Sequence, residues 1–211
     1  GISFDGDGDR LVLVDKKGRV LDGDDLLNTL VSRNSNELQN KSYKGVVGTL
    51  MTNKSLENFL ENKAIDFLRT DVGDKYVIRA LRERNWILGG EPSGHIICLD
   101  RTTTGDALIA SVKLLESLKD IDFDISKALE DFTKLPQQLI SFEVNDPHKI
   151  LMNSEIRSKV SKLEKKLGNE GRVLIRPSGT EDLLRIMVEA STKELADDLA
   201  KELSEFIRKA A

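Results

Sequence analysis

At 211 residues, with 39% hydrophobic and 32% charged residues, the chain has room for one large or two ordinary domains. A net charge of −4 leaves no basic footprint for nucleic acid, and no apolar run reaches the roughly 20 residues that cross a membrane. Cys98 is the single cysteine, which excludes an intrachain disulfide and fits a reducing, cytoplasmic setting; its apolar run, Ile96-Ile97-Cys98-Leu99, reads as core.

The chain opens without a methionine on Ile2-Ser3-Phe4, a strand entering an acidic loop, and so reads as starting within a longer protein. The loop is Asp5-Gly6-Asp7-Gly8-Asp9-Arg10. In an extended strand side chains two apart are about 6.6 Å apart, too far to share a small ion. Gly6 and Gly8 let the backbone curl and gather the three carboxylates. Hard oxygen donors suit Mg²⁺ or Ca²⁺. An EF-hand fails, because its sixth and twelfth positions would be Arg10 and Lys16 in place of Gly and Glu. Mg²⁺ completed by a phosphate oxygen fits better, with Arg10 placed to touch the same phosphate. The plain alternative is an acidic turn between strands, with Arg10 in a surface ion pair.

Leu11–Val14 and Arg19–Leu21, joined through Lys16-Lys17-Gly18, read as a hairpin. A helix follows from Asp24-Asp25 to about Leu38. Strands at Val46–Leu50, Ile65–Arg69 and Trp86–Leu88 alternate with helices at Ser55–Asn62 and Lys75–Arg84. Another strand spans Gly94–Leu99, and a helix spans Thr104–Leu118 with Leu108, Val112, Leu115 and Leu118 on its apolar side. Alternation of this kind predicts an α/β layer on a mixed, partly parallel sheet. After the linker Leu135-Pro136-Gln137-Gln138 the pattern changes. Strands Leu139–Val144, Arg172–Ile175 and Leu183–Ala190, with helices Asn153–Leu167 and Lys193–Lys209, predict a small α+β domain: two helices on an antiparallel sheet. The last helix carries a core stripe of Leu195, Leu199, Leu203 and Phe206.

Four further segments carry chemistry. Gly89-Gly90-Glu91-Pro92-Ser93-Gly94-His95 offers a carboxylate, a hydroxyl and an imidazole suited to sugar hydroxyls and proton exchange. Thr70-Asp71-Val72-Gly73-Asp74-Lys75 lies where a strand hands over to a helix, and turn-forming alone accounts for its composition. Thr102-Thr103-Thr104-Gly105-Asp106 precedes a helix, and Asp106 reads as its cap. Arg176-Pro177-Ser178-Gly179-Thr180-Glu181, with Arg185 on the next strand, is a candidate nest for a phosphate; a tight hairpin with exposed Arg is the plainer account. Neither a Walker pattern nor a Rossmann fingerprint occurs.

Asp-Gly-Asp-Gly-Asp-Arg, Val-Gly-Asp-Lys, Gly-Glu-Pro-Ser-Gly-His, Thr-Thr-Gly-Asp and Arg-Pro-Ser-Gly-Thr-Glu occur in this order across nearly the whole chain. Together they resemble the α-D-phosphohexomutase superfamily, and within it the bacterial members that convert glucosamine 6-phosphate to glucosamine 1-phosphate for UDP-N-acetylglucosamine and the cell wall. The resemblance implies a four-domain enzyme with a phosphoserine donor and a bisphosphate intermediate. It implies that Asp5, Asp7 and Asp9 hold Mg²⁺ and that Arg10 lies beside the phosphoserine. It implies that Glu91, Ser93 and His95 recognise the sugar, with His95 near the reacting hydroxyl. Thr70, Gly73 and Asp74 would read the sugar's orientation, while Arg176, Ser178, Gly179 and Thr180 would grip the phosphate that is not transferred; Arg185, on the following strand, offers a second positive charge there.

The family's nucleophile sits in a Ser-His-Asn loop, whereas the histidines here, His95 and His148, follow Gly94 and Pro147. The resemblance therefore implies an inactive C-terminal part: residues 1–18 the tail of domain two, 19–134 domain three and 135–211 domain four. Pro92 and Lys75 depart from the expected motifs and leave a member acting on glucose or mannose phosphates as an alternative. The negative charge and the acidic loop leave a second, outside the family: a stand-alone Ca²⁺- or phosphosugar-binding module. The expected partners are a hexosamine phosphate, the missing N-terminal domains and, as a candidate, a second copy of the chain.

Overall fold

Short apolar strands alternating with amphipathic helices build the first unit. A computed structural model describes residues 1–33, 44–178 and 183–210. These divide into two compact units, Gly1–Thr133 and Lys134–Ala211.

In the first unit β1 (Ile2–Phe4), β2 (Leu11–Val14) and β3 (Val20–Leu21) form an antiparallel sheet. Leu11, Leu13 and Leu21 point into the core, whereas all of β1 is exposed. The expected helix after Asp24-Asp25 is α1 (Gly23–Arg33); its predicted continuation to Leu38 falls outside the described residues. A four-stranded sheet follows in the order β5-β4-β6-β7, from β4 (Gly45–Thr49), β5 (Asp66–Thr70), β6 (Leu88–Gly90) and β7 (Ile96–Cys98). Strand β4 runs parallel to β5 and β6, and β7 is antiparallel to β6, which is the mixed sheet expected.

Side chains alternate across a strand, and here both faces are covered. Val46, Leu88, Ile96 and Cys98 face a core shared with α1, with Leu56 and Leu60 of α2 (Lys54–Asn62) and with Leu114 and Leu118 of α4 (Ala107–Leu118). On the other face Val47 and Ile97 meet Val77 and Leu81 of α3 (Asp74–Arg84) and Trp86. A short helix, α5 (Ile125–Ala128), adds Ile125 to the first core.

Two expectations for α4 change. The helix begins at Ala107, because Asp106 leaves the helical conformation and accepts the Ile109 amide at 2.9 Å as the N-cap. Its buried face is Ala107, Ala110, Ser111, Leu114 and Leu118, with Lys113 also buried against Asp100. Leu108 and Val112 are exposed, at 62% and 49%. Every residue from Ala107 to Leu115 except Ser111 and Lys113 is apolar, so periodicity alone could not select the face.

The second unit has β8 (Gln137–Glu143), β9 (Arg172–Pro177) and β10 (Leu183–Glu189) in an antiparallel sheet of order β8-β10-β9. A short helix, α6 (Pro147–Met152), precedes α7 (Ser154–Leu167), so among the described residues three helices rather than two accompany the sheet. Asn153 separates them by accepting the Glu155 and Ile156 amides as the cap of α7. Leu184, Ile186 and Val188 pack with Leu199, Leu203 and Ile207 of α8 (Lys193–Ala210).

Candidate active site

The acidic loop is the tip of the β1–β2 hairpin, with Phe4 paired to Leu11. The backbone turns back through Gly8, whose φ of +72° suits glycine. Asp5 Oδ1 accepts the amides of Gly8, Asp9 and Arg10 at 3.1, 3.2 and 3.2 Å, and Oδ2 accepts Arg10 Nε at 2.6 Å. Burial pushes the Asp5 carboxyl up, but the Arg10 amide and guanidinium outweigh it and hold the pKa at about 2. Arg10 thus has its Nε committed to Asp5, the ion pair that the plainer reading of the loop allowed.

The curl does gather the carboxylates. Asp5, Asp7 and Asp9 each bring an oxygen within 4.8 Å of the others. Asp9 Oδ1 is shielded from solvent without a hydrogen-bond partner, 3.7 Å from Arg10 Nε. A shielded carboxylate oxygen without a donor is costly unless a cation completes it. The residues present therefore fit a hard divalent ion.

The polar loops of the first unit meet behind this hairpin. The Leu11 amide donates to Gly94 O at 2.9 Å, and Gly94 adopts φ +94° so closely against Leu11 that a Cβ there would lie 2.2 Å from Leu11 O. The turn from Glu91 to His95 is closed by the Gly94 amide on Glu91 O and the Glu91 amide on His95 O. Its other side rests on α1, where the Gly23 amide donates to Pro92 O at 3.1 Å. His95 is buried, with Nδ1 3.8 Å from Asp9 Oδ2. Ser93 is exposed.

Glu91 is 7% exposed, and its Oε1 accepts the Gly73 amide at 2.9 Å. This bond joins the Glu91–His95 turn to the Thr70–Asp74 segment at the head of α3. Gly73 is the N-cap of that helix and Asp74 its first residue, half-buried. The Thr70 hydroxyl lies 3.2 Å from Gly48 O and 3.0 Å from Asp71 O, so it serves backbone. The Thr102–Asp106 segment joins the same assembly: the Ala107 amide donates to Gly8 O at 3.0 Å, and Arg82 of α3 donates to Thr103 O at 3.1 Å. Asp5, Asp7, Asp9, Arg10, Thr70, Gly73, Asp74, Glu91, Ser93 and His95 thus occupy loops that this one unit ties together.

The remaining candidates lie in the second unit. Arg176 and Arg185 sit directly opposite each other across β9 and β10. Burial, and then the Arg185 charge, depress the Arg176 pKa, so the pair gains from an anion beside it. The Ser178 amide donates to Leu183 O at 2.7 Å, while its Oγ is shielded without a hydrogen-bond partner. Gly179 and Thr180 lie outside the described residues.

Gly23, Arg82 and Gly105 carry contacts in this assembly that sequence reasoning did not assign. A Cβ on Gly23 would lie 1.9 Å from Glu91 O, and one on Gly105 1.9 Å from His95 Nε2. The only sequence signal was a glycine directly before each acidic helix start.

Comparison with known proteins bears on this geometry. Residues 22–135 match the family profile for "Phosphoglucomutase/phosphomannomutase, alpha/beta/alpha domain III", and residues 139–206 match that for "Phosphoglucomutase/phosphomannomutase, C-terminal domain". The phosphoglucosamine mutase of Hydrogenovibrio crunogenus is 42% identical over 99% of this chain and 46% of its own length. That of Bacillus subtilis is 40% identical, with the same coverage. The chain thus spans just under half the length of these relatives. Among solved structures, the Aspergillus fumigatus N-acetylphosphoglucosamine mutase with GlcNAc-6P and magnesium shares the fold, with a TM-score of 0.81 at 24% identity over 99% of this chain and 48% of that one.

Proposed function

The chain belongs to the phosphoglucomutase/phosphomannomutase family, and from that premise we propose that it forms the C-terminal part of a phosphoglucosamine mutase. The observation that carries the reading is the junction of the acidic hairpin with the Glu91–His95 turn. Leu11 and Gly94 join the two backbones, and His95 Nδ1 lies 3.8 Å from Asp9 Oδ2. A carboxylate of the trio and a buried imidazole are thereby held side by side. The amino-sugar assignment is supported by relatives of that name at 40% and 42% identity.

The reaction interconverts glucosamine 6-phosphate and glucosamine 1-phosphate. A phosphoserine O–P bond breaks as an O–P bond forms to a sugar hydroxyl, which loses its proton. The resulting bisphosphate turns over, and its other phosphoryl group returns to the serine. Asp5, Asp7 and Asp9 would hold Mg²⁺, which would supply positive charge where the phosphoryl group is transferred. Arg10 stands beside that group. His95 takes or gives the proton of the reacting hydroxyl, an exchange natural to an imidazole near neutrality. Ser93, Asp74 and Glu91 offer polar atoms to the sugar, and Thr70 and Gly73 fix the backbone that presents them. Arg176 and Arg185, with Ser178, Gly179 and Thr180, grip the phosphate that stays, which turns the transfer into an oriented, near-unimolecular step.

The nucleophile comes from elsewhere, since neither histidine follows a serine in this sequence. It is supplied by N-terminal domains of the same protein, in the cytoplasm, upstream of UDP-N-acetylglucosamine. The test is a coupled assay for glucosamine 1-phosphate. The purified 211-residue chain should make none, and the complete reading frame should make it with Mg²⁺. Turnover by the chain alone would refute the division of labour.

A further inference from the structure

Gly105 stands apart from the capping role of its neighbour Asp106. A Cβ built on it would meet three atoms first, and all belong to the His95 ring: Nε2 at 1.9 Å, Cδ2 at 2.4 Å and Cε1 at 3.2 Å. Ordinary carbon contacts lie near 3.5–4.0 Å, so the ring could not stay where it is beside any other residue. The opposite edge of the imidazole is also bounded, with Nδ1 3.8 Å from Asp9 Oδ2. Gly105 itself lies outside the left-handed region that favours glycine. The requirement for glycine is therefore imposed by the ring. The segment is fixed on both flanks, by Arg82 on Thr103 O and by the Ala107 amide on Gly8 O.

We propose that Gly105 is a positioning residue for His95: its bare Cα is the wall that sets how far the Nε2 edge of the ring lies from the acidic hairpin. The Thr102–Asp106 segment is then a buttress shared by the carboxylate loop and the imidazole. The proposal rests on the reading of His95 as the group that handles the substrate proton. Its structural part stands without that reading.

The test is a double-variant cycle, run on the chain and on the complete enzyme. In the chain, Gly105→Ala should shift the His95 ring resonances, with the signal of His148 as reference, since these are the two histidines. It should also lower the melting temperature by about 4 °C, from the overpacking of one methyl. In the His95→Ala background the same methyl should produce almost no change in melting temperature, and this arm remains readable if the single variant does not fold. In the complete enzyme, Gly105→Ala should lower kcat about 100-fold with KM nearly unchanged, as a misplacement of about 1 Å does. Equal destabilisation in both backgrounds, or an unmoved His95 signal, would overturn the proposal. A kcat unaffected by His95→Ala would instead overturn the assignment of His95, with the thermal cycle still reporting on Gly105.

Discussion

Leu11 and Gly94 bind the acidic hairpin to the Glu91–His95 turn, with the Leu11 amide on Gly94 O at 2.9 Å and no room for a Cβ between them. Gly94→Ala meets both a backbone clash and a φ of +94°. It should destabilise the first unit by about 3 kcal/mol. Chemical denaturation should read the loss as a lower transition midpoint.

Metal binding by the chain should be weak. On the proposed reading the trio is completed by a phosphoserine oxygen from other domains, and Asp5 is already occupied by three amides and Arg10. Calorimetric titration should give a Mg²⁺ dissociation constant on the order of 1 mM, weakened further by Asp7→Asn. Submicromolar Ca²⁺ affinity would favour a stand-alone binding module.

Acid should unfasten the hairpin through Asp15. Burial pushes this carboxyl up, but the Arg19 guanidinium and the amides of Arg19 and Lys17 outweigh it and hold the pKa at about 2. Ser126 Oγ adds a bond from α5 at 3.2 Å. Because the folded value lies below the unfolded 3.8, the stabilisation is full above the unfolded value and is lost as pH falls toward about 2. The gap in melting temperature between the chain and Asp15→Asn should be constant above about pH 5 and close below it.

Arg176 and Arg185 should act on binding before rate. The two guanidinium-bearing residues are in register across β9 and β10, and Arg176→Ala removes one of the two charges proposed to hold the phosphate. In the complete enzyme KM for the sugar phosphate should rise at least about 10-fold, the loss of one charge-assisted hydrogen bond.

The corrected face of α4 gives a direct comparison. Leu114→Ala should cost about 3 kcal/mol, whereas Leu108→Ala, at 62% exposure, should stay within about 0.5 kcal/mol.

Much of this was legible because local chemistry dictated it. Glycines between carboxylates predicted the curled loop, and Gly8 takes the left-handed turn. Asp106 read as a cap and is one. The mixed sheet followed from apolar runs spaced by helices. What was illegible depended on contacts distant in sequence. The Glu91 carboxylate could be assigned to a sugar, but its bond to the Gly73 amide arises only when β6 and α3 are placed together. The exposed side of α4 was hidden by a nearly uniform apolar stretch. Gly105 had no role assigned within the Thr102–Asp106 segment, because its contact with the His95 ring arises only in the fold.

The most direct test of the account is the catalytic efficiency of the complete enzyme on glucosamine, glucose and mannose 6-phosphates, measured side by side with Mg²⁺. The account predicts the highest kcat/KM for glucosamine 6-phosphate. A clear preference for mannose 6-phosphate would contradict it.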